Sequence, residues 1–520
     1  MYRLIKQLLI VGGGTAGWIT AGYLARTLGA QSPDGVQITL VESADIGILG
    51  VGEGTFPSIR TTLKRIGVDE TSLIRECSAS FKQGARFAHW RHAPGQGRGA
   101  PDHYLHAFQV SQEPSGLDLL PYWLLGVAGD NVNWDEVNTP QKRIADACRA
   151  PKLITHSDYL GPLGYAYHFD AVKLAHFVRK QAMASGVRHI VDTVDAVNLT
   201  EDGAIGSVTT REHGVLSADL FVDCTGFRAQ LIGAGLGVPY KSCRSVLFCD
   251  TALAMQVPYE RPDSPIASYT ISTAHDAGWT WDIGLYSRRG VGYVYSSAHT
   301  DEARAEQTLR AYVGPAAEGL AVRKIGFNAG YREINWRKNC VAIGLSSGFF
   351  EPLEATGIMF TEIAAVTLTN LFPWGGDLEV AAEQFNERMR RRYERALDFI
   401  KLHYCLSERR DSQFWRDNVE PGTIPDSLHQ LLRRWRHRPP GSIDIDPNVD
   451  IFPETSWQYV LYGMGYKTDL GPRARVLKYH DEAREAFAEI SRQANFACRT
   501  LPTNRALLDA AHTRRFGVAQ

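Results

Sequence analysis

Gly12-Gly13-Gly14-Thr15-Ala16-Gly17 limits what this chain can fold into more than any other feature. The motif follows a short apolar run at residues 7–11 and opens a stretch with apolar residues at helical spacing, residues 17–28. A second apolar run, residues 36–41, ends at Glu42. Strand, glycine turn, helix and strand in that order make a βαβ opening. Each glycine has a steric task. Gly12 permits the tight turn, Gly14 lets backbone approach a pyrophosphate, and Gly17 lets helix and strand pack closely. Free amides at the helix start, around Thr15 and Ala16, favour an anion. Glu42 closes the second strand, where a carboxylate takes both hydroxyls of an adenosine ribose. A dinucleotide site is the expectation.

FAD is preferred over NAD. Asp223-Cys224-Thr225-Gly226-Phe227 and residues 340–348 resemble the return strands of FAD hydroxylases, and no second fingerprint marks a nicotinamide domain. Net charge is −1 over 520 residues, so nothing favours nucleic acid or an anionic membrane surface. No uninterrupted apolar run is long enough to span a bilayer. The eight cysteines are scattered, with no Cys-x-x-Cys pair. They read as reduced thiols of a cytoplasmic protein, not as a disulfide frame or a zinc site, and no metal is expected.

Further along, residues 47–57 form a glycine-rich loop (Gly47, Gly50, Gly52, Gly54), and residues 58–80 read as helical. Residues 81–90 look extended. Residues 91–115, rich in Gly, Pro and His, read as a loop over a site. Residues 169–184 are helical, and 187–222 alternate like strands with turns at Asp202-Gly203 and His213-Gly214. A second group of strands covers 246–256, 267–271, 279–285 and 292–295, with a tight turn at Arg289-Gly290. Residues 339–344 read as a buried strand, and the chain beyond 358 as mostly helical. In Trp279-Thr280-Trp281-Asp282-Ile283-Gly284 two tryptophans on alternate positions put both indoles on one face of a strand.

These residues together resemble the flavin-dependent tryptophan halogenase family, over most of the chain. The matching parts are the fingerprint with Trp18, Val51-Gly52-Glu53-Gly54-Thr55, Ser80-Phe81-Lys82, His106-Ala107-Phe108, Tyr167-His168-Phe169-Asp170, Trp279-x-Trp281-x-Ile283, and Gly348-Phe349-Phe350-Glu351-Pro352-Leu353-Glu354-Ala355-Thr356-Gly357. The family usually has Ile-Pro where this chain has Ile283-Gly284, and Ser where it has Ala355.

The resemblance implies that FAD, delivered reduced by diffusion from a separate flavin reductase, works with oxygen and chloride or bromide to make hypohalous acid. That oxidant travels to a second cavity and halogenates an electron-rich ring. Lys82 matches the family's catalytic lysine, which holds or captures the oxidant; a desolvated amine is more easily neutral. Glu354 matches the essential glutamate, which steadies the cationic intermediate. Thr356 and Gly357 match the halide-binding backbone, and Gly52, Glu53, Leu345 and Ile358 match positions beside the flavin. Trp279, Trp281 and Ile283 match the wall between flavin and substrate. His106 and Phe108 match one side of an aromatic clamp, and Trp457 the other.

Members that take free tryptophan hold its amino-acid end with an adjacent tyrosine pair and a glutamate. Counting back from Trp457, these positions fall on Ile445-Asp446 and Phe452. Asp444, Asp446 and Asp450 nearby are expected to repel a carboxylate. The substrate expected is therefore a small indole-like aromatic and not free tryptophan. Two alternatives stand beside this: an FAD-dependent aromatic hydroxylase of the same fold, and a flavoprotein that has lost turnover. The fold expected is α/β: a Rossmann-like FAD-binding domain of the hydroxylase and glutathione-reductase type over residues 1–360. It carries a mixed sheet, inserted sheet segments and an active-site loop at 81–115. A mainly helical substrate-side part over 361–520 completes it.

Overall fold

Leu8, Leu9, Ile10 and Val11 are buried in succession, which fits a strand covered on both faces. The computed structural model describes residues 4–47, 52–96 and 102–518; Val51 and Gly50 lie outside the described residues. The chain divides into two units, each assembled from three segments.

The first unit comprises Met1–Ala79, Phe169–Arg244 and Phe327–Tyr393. Its six-stranded sheet runs in the order Trp336–Arg337, Cys340–Ala342, Leu220–Asp223, Gln7–Val11, Gln37–Glu42, Arg188–Val191. All neighbours are parallel except the Trp336–Arg337 edge. Val11 sits between Val41 and Asp223 in register. The helix Thr15–Thr27 packs against Ala171–Ala184 and Thr356–Asn370. The helix ends where expected: Gly29, at φ 68°, takes the left-handed turn that follows its last residue. Leu9, Val41, Ile190, Phe221, Leu231 and Ala342 belong to one apolar cluster with the small three-stranded sheet Val194–Leu199, Ile205–Thr210, Gly214–Leu216. The stretch 58–80 is two helices, Ile59–Ile66 and Glu70–Glu76, parted by Gly67 at φ 92°.

The second unit comprises Ser80–His168, Ser245–Gly326 and Glu394–Gln520. Its seven-stranded sheet has the order Arg323–Gly326, Thr251–Pro258, Arg288–Tyr295, Gly278–Gly284, Thr270–His275, Gly84–Ala88, His103–Ala107. Every pairing is antiparallel except that of Thr270–His275 with Gly84–Ala88. Two expectations are corrected here. Arg289 and Gly290 lie inside the strand Arg288–Tyr295, so the turn falls just before it. The presumed loop 91–115 contains the strand His103–Ala107, paired residue by residue with Gly84–Ala88. Its partner lies upstream, so Gly, Pro and His around it hid the alternation. Helices of the C-terminal segment include Glu454–Gly463, His480–Thr500 and Asn504–Thr513. Among the described residues the cysteines are free, no cluster could hold a metal ion, and no helix is long and apolar enough to cross a membrane.

Candidate active site

In the first unit the glycine turn is fixed by what a side chain would strike. A Cβ on Gly12 (φ 110°) would meet the Cys224 carbonyl oxygen at 2.2 Å, and one on Gly17 would meet the Gly12 carbonyl oxygen at 1.9 Å. Gly13 has a task the sequence did not reveal. A Cβ there would lie 1.7 Å from Glu42 Oε2, so the glycine makes room for the carboxylate. Gly14 faces open space. No side chain caps the helix that starts at Thr15, and no acid stands in its first turn, so its first amides are left for an anion. Glu42 Oε1 lies 2.8 Å from His189 Nε2 and 3.6 Å from Arg179. Gly344, at φ 77°, approaches so closely that a Cβ would meet that of Ala16 at 2.6 Å, which brings Leu345 to the same turn. Open backbone at Gly14, uncapped amides and a carboxylate at the end of the second strand fit the diphosphate and ribose of FAD.

Gly52 and Glu53 occupy the short strand Gly52–Gly54. The Glu53 carboxyl is lifted to about 7, first by burial and then by the negative charge of Asp170. Glu354 is buried and closes the turn Pro352–Glu354. Ala355 follows in the left-handed conformation, φ 54°, which strains a residue carrying a Cβ. The helix Thr356–Asn370 then begins without a side-chain cap or an acid in its first turn. Thr356 and Ile358 are buried, while Gly357 is exposed and faces open space.

The second unit holds the aromatic residues. Lys82 is 2% exposed on the strand Ser80–Lys82, and its Nζ lies 5.1 Å from the centre of the Phe108 ring. His106 is fully buried, with Nε2 2.9 Å from Ser456 Oγ. Around its ring stand Tyr459 at 5.9 Å, Phe399 at 5.8 Å, Phe452 at 6.4 Å and Phe108 at 6.5 Å. Phe399 and Phe452 stack at 3.9 Å. Trp457 is also fully buried, with Phe399, Trp435 and the Arg395 guanidinium around it. Phe399 and Ser456 were not picked out as site residues, and Phe452 only as the position where free-tryptophan members carry a glutamate. Phe399 lies mid-helix in Leu378–Cys405, where an apolar residue looks like any core residue.

Trp279 and Trp281 sit on the strand Gly278–Gly284, both buried, ring centres 6.5 Å apart. Trp281 is directly opposite Gly292, and a Cβ at that glycine would strike its indole at 2.1 Å. Trp279 meets Trp90 at 6.3 Å, and Ile283 is buried beyond Asp282.

The expected repulsion from acids near Trp457 does not survive the structure. Asp444 accepts both Arg438 NH groups, at 2.8 and 2.7 Å, and Asp450 accepts from Arg395 Nε at 2.6 Å. Arg438 stands six residues ahead of Asp444, just outside the acidic stretch, while Arg395 lies on the distant helix Leu378–Cys405.

A sequence model of the family described as tryptophan halogenase matches residues 7–477. The chain belongs to the tryptophan halogenase family. The tryptophan 6-halogenase SttH of Streptomyces toxytricini is 36% identical to it over 518 residues, covering 96% of each chain. A tryptophan halogenase from Shewanella frigidimarina has the same fold, with a TM-score of 0.94, 42% identity and 99% of each chain covered. Tar14, a tryptophan C-6 flavin-dependent halogenase from taromycin biosynthesis, gives 0.91 at 37% identity, covering 98% of this chain and 100% of its own. This halogenase is thus an enzyme and a flavoprotein with a Rossmann-like FAD-binding fold, and its family uses FAD, halide and an aromatic substrate.

Proposed function

We propose that this halogenase installs chloride or bromide on an indole-like ring that lacks the amino-acid end of tryptophan. Reduced FAD, received by diffusion from a separate reductase in the cytoplasm, supplies the electrons with which oxygen turns halide into hypohalous acid. The amides of Thr15, Ala16 and Gly17 and the open backbone at Gly14 hold the diphosphate, and Glu42 holds the ribose. Gly52, Glu53, Leu345 and Ile358 border the flavin ring. The Thr356 and Gly357 amides hold halide at the uncapped start of their helix. Trp279, Trp281 and Ile283 keep the aromatic substrate off the flavin, so the small oxidant is what travels. Lys82 binds that oxidant and aims it; Glu354 stabilises the positive charge that develops on the attacked ring.

Lys82 is the observation that carries this reading. A buried lysine amine needs partners, and this one, 2% exposed, faces a phenyl ring beside a cluster of aromatic side chains. His106, Phe108, Phe399 and Phe452 supply flat apolar contacts for an indole, backed by Trp457. Phe452, where free-tryptophan enzymes of this family place a carboxylate, is stacked and apolar. The test is product analysis with bromide, an added flavin reductase and a panel of indoles. Brominated indole from the parent and none from Lys82→Ala, with oxidant still formed, is the expected result. Brominated product from Lys82→Ala at the parental rate overturns it.

A further inference from the structure

The strand that carries Lys82 is antiparallel to Ala166–Asp170, with Ser80 opposite His168 and Lys82 opposite Ala166. Residues directly opposed across such a pair share a face, as do residues two apart along a strand. Ser80, His168, Lys82 and Ala166 therefore lie on one face, and His168 is the diagonal neighbour of Lys82. The residue straight across from the lysine is only a methyl group, which leaves its stem room over Ala166. All four residues are buried, His168 completely.

The hydrogen bonds fix the imidazole. His168 Nε2 is 2.9 Å from Thr270 Oγ1, and Nδ1 is 3.5 Å from Ser80 Oγ. Ser80 gives its one proton to the Gly284 carbonyl oxygen. The tautomer that satisfies both contacts carries its proton on Nδ1, toward Ser80, and accepts from Thr270 at Nε2. Burial, and then the charge of Lys82, push the His168 pKa far below its ordinary value, in keeping with a neutral ring. The chain Thr270–His168–Ser80–Gly284 ties the lysine strand to two strands of the seven-stranded sheet, one of them the strand of Trp279 and Trp281.

We propose that His168 is a positioning residue for Lys82: locked by Thr270 and Ser80, it sets the direction in which the lysine amine is presented to the oxidant and the aromatic ring. This rests on the reading of Lys82 as the group that aims the oxidant. The ring does no proton transfer in the reaction. It fills the diagonal site with an uncharged, immobile neighbour, so that the amine has one low-energy direction instead of several. The Ser80 link carries any shift of the tryptophan strand at Gly284 to the same place.

The test measures brominated indole formed per hypobromous acid released, together with the positions brominated, in the full-length enzyme with reductase. His168→Leu removes both bonds; Thr270→Val removes the anchor with almost no change in shape; His168→Gln keeps an amide oxygen for Thr270. His168→Leu and Thr270→Val are expected to lower product per oxidant about 10- to 100-fold and to spread bromine over more ring positions, since small misplacements carry such costs. His168→Gln is expected to restore most of the yield and the parental product pattern. If His168→Leu does not fold, Thr270→Val against the parent carries the test. Parental yield and pattern in Thr270→Val overturn the proposal, as does a loss in His168→Gln equal to that in His168→Leu. Lys82→Ala is run alongside: product at parental yield there removes the reading of Lys82, whereas loss of product there with unaltered Thr270→Val removes only the role of His168.

Discussion

Phe108 Nα–H donates to the Gln83 carbonyl oxygen at 3.0 Å, and this bond sets the Phe108 ring beside the lysine that precedes Gln83. Lys82 Nζ stands 5.1 Å from that ring, inside the range of cation–π attraction. Phe108→Leu keeps an apolar side chain but deletes the π face. Steady-state bromination of indole should show kcat/KM lowered by about 30-fold, the equivalent of the roughly 2 kcal/mol of a desolvated cation–π contact. Phe108→Tyr should retain most of the rate. Equal rates for Leu and Phe at this position would refute the contact's role.

Arg395 does two things at once. Its guanidinium lies 4.9 Å from the Trp457 ring centre, and its Nε donates to Asp450, whose side chain is nearly enclosed. Arg395→Met preserves most of the packing and leaves Asp450 charged without its partner. Breaking a buried pair from one side costs about 3–5 kcal/mol. Urea unfolding should therefore show a lower midpoint for Arg395→Met, partly recovered when Asp450→Asn is added. Additive losses in the double variant would show that the two residues do not act as a pair.

How much of this was legible beforehand differs between the fold and the site. The βαβ opening was legible because each of its devices is local: the turn at Gly12, the helix stop at Gly29, the acid at the end of the second strand. The strand His103–Ala107 was not, because its pairing is with Gly84–Ala88 and the residues that precede it have the composition of a loop. At the site, Lys82, His106 and Phe108 stood out only through the family resemblance. Phe399 belongs to no motif, and Phe452 was visible only as the position of a missing glutamate; their stacking at 3.9 Å joins residues distant along the chain. The aspartates misled because their charge was read over too short a span, which leaves out Arg438, six residues before Asp444, as well as the distant Arg395. Charge counted along residues 442–450 is negative, but Arg438 and Arg395 cancel two of those acids in space.

Those pairings bear on substrate choice. An ammonium brought against Trp457 would find Asp444 and Asp450 already occupied by arginines, and Asp398 pushed up to about 7 by burial. A buried polar group without a partner is costly. Free tryptophan should thus be used with a kcat/KM at least about tenfold below that of indole, within the roughly 1–3 kcal/mol that a buried polar group left unpaired costs. Competition between indole and tryptophan at equal concentration, read by mass spectrometry, measures the ratio directly. Equal consumption would mean that another residue meets the amino-acid end.

Glu362 gives the protein a pH dependence whose sign can be worked out. It lies on the helix Thr356–Asn370, 2% exposed, and accepts from Thr62 Oγ1 at 2.6 Å and Ser58 Oγ at 3.2 Å. Burial lifts its pKa from 4.5 to about 8 despite those two hydroxyls. The folded chain therefore keeps a proton that the unfolded chain releases above 4.5. The stabilisation is fully present below the unfolded value and is lost as pH rises through the folded one. Within that window each pH unit lowers stability by about 1.4 kcal/mol through this group. Glu362→Gln cannot titrate, and its amide oxygen can still accept from Thr62. Urea midpoints taken at about pH 5 and about pH 9 should fall less steeply in the variant than in the parent, with the variant the more stable at the higher pH. Some slope will persist, because Glu53 and Asp135 are shifted in the same direction. Parallel stability curves for parent and variant would show that Glu362 ionises in the folded protein as it does in the unfolded one.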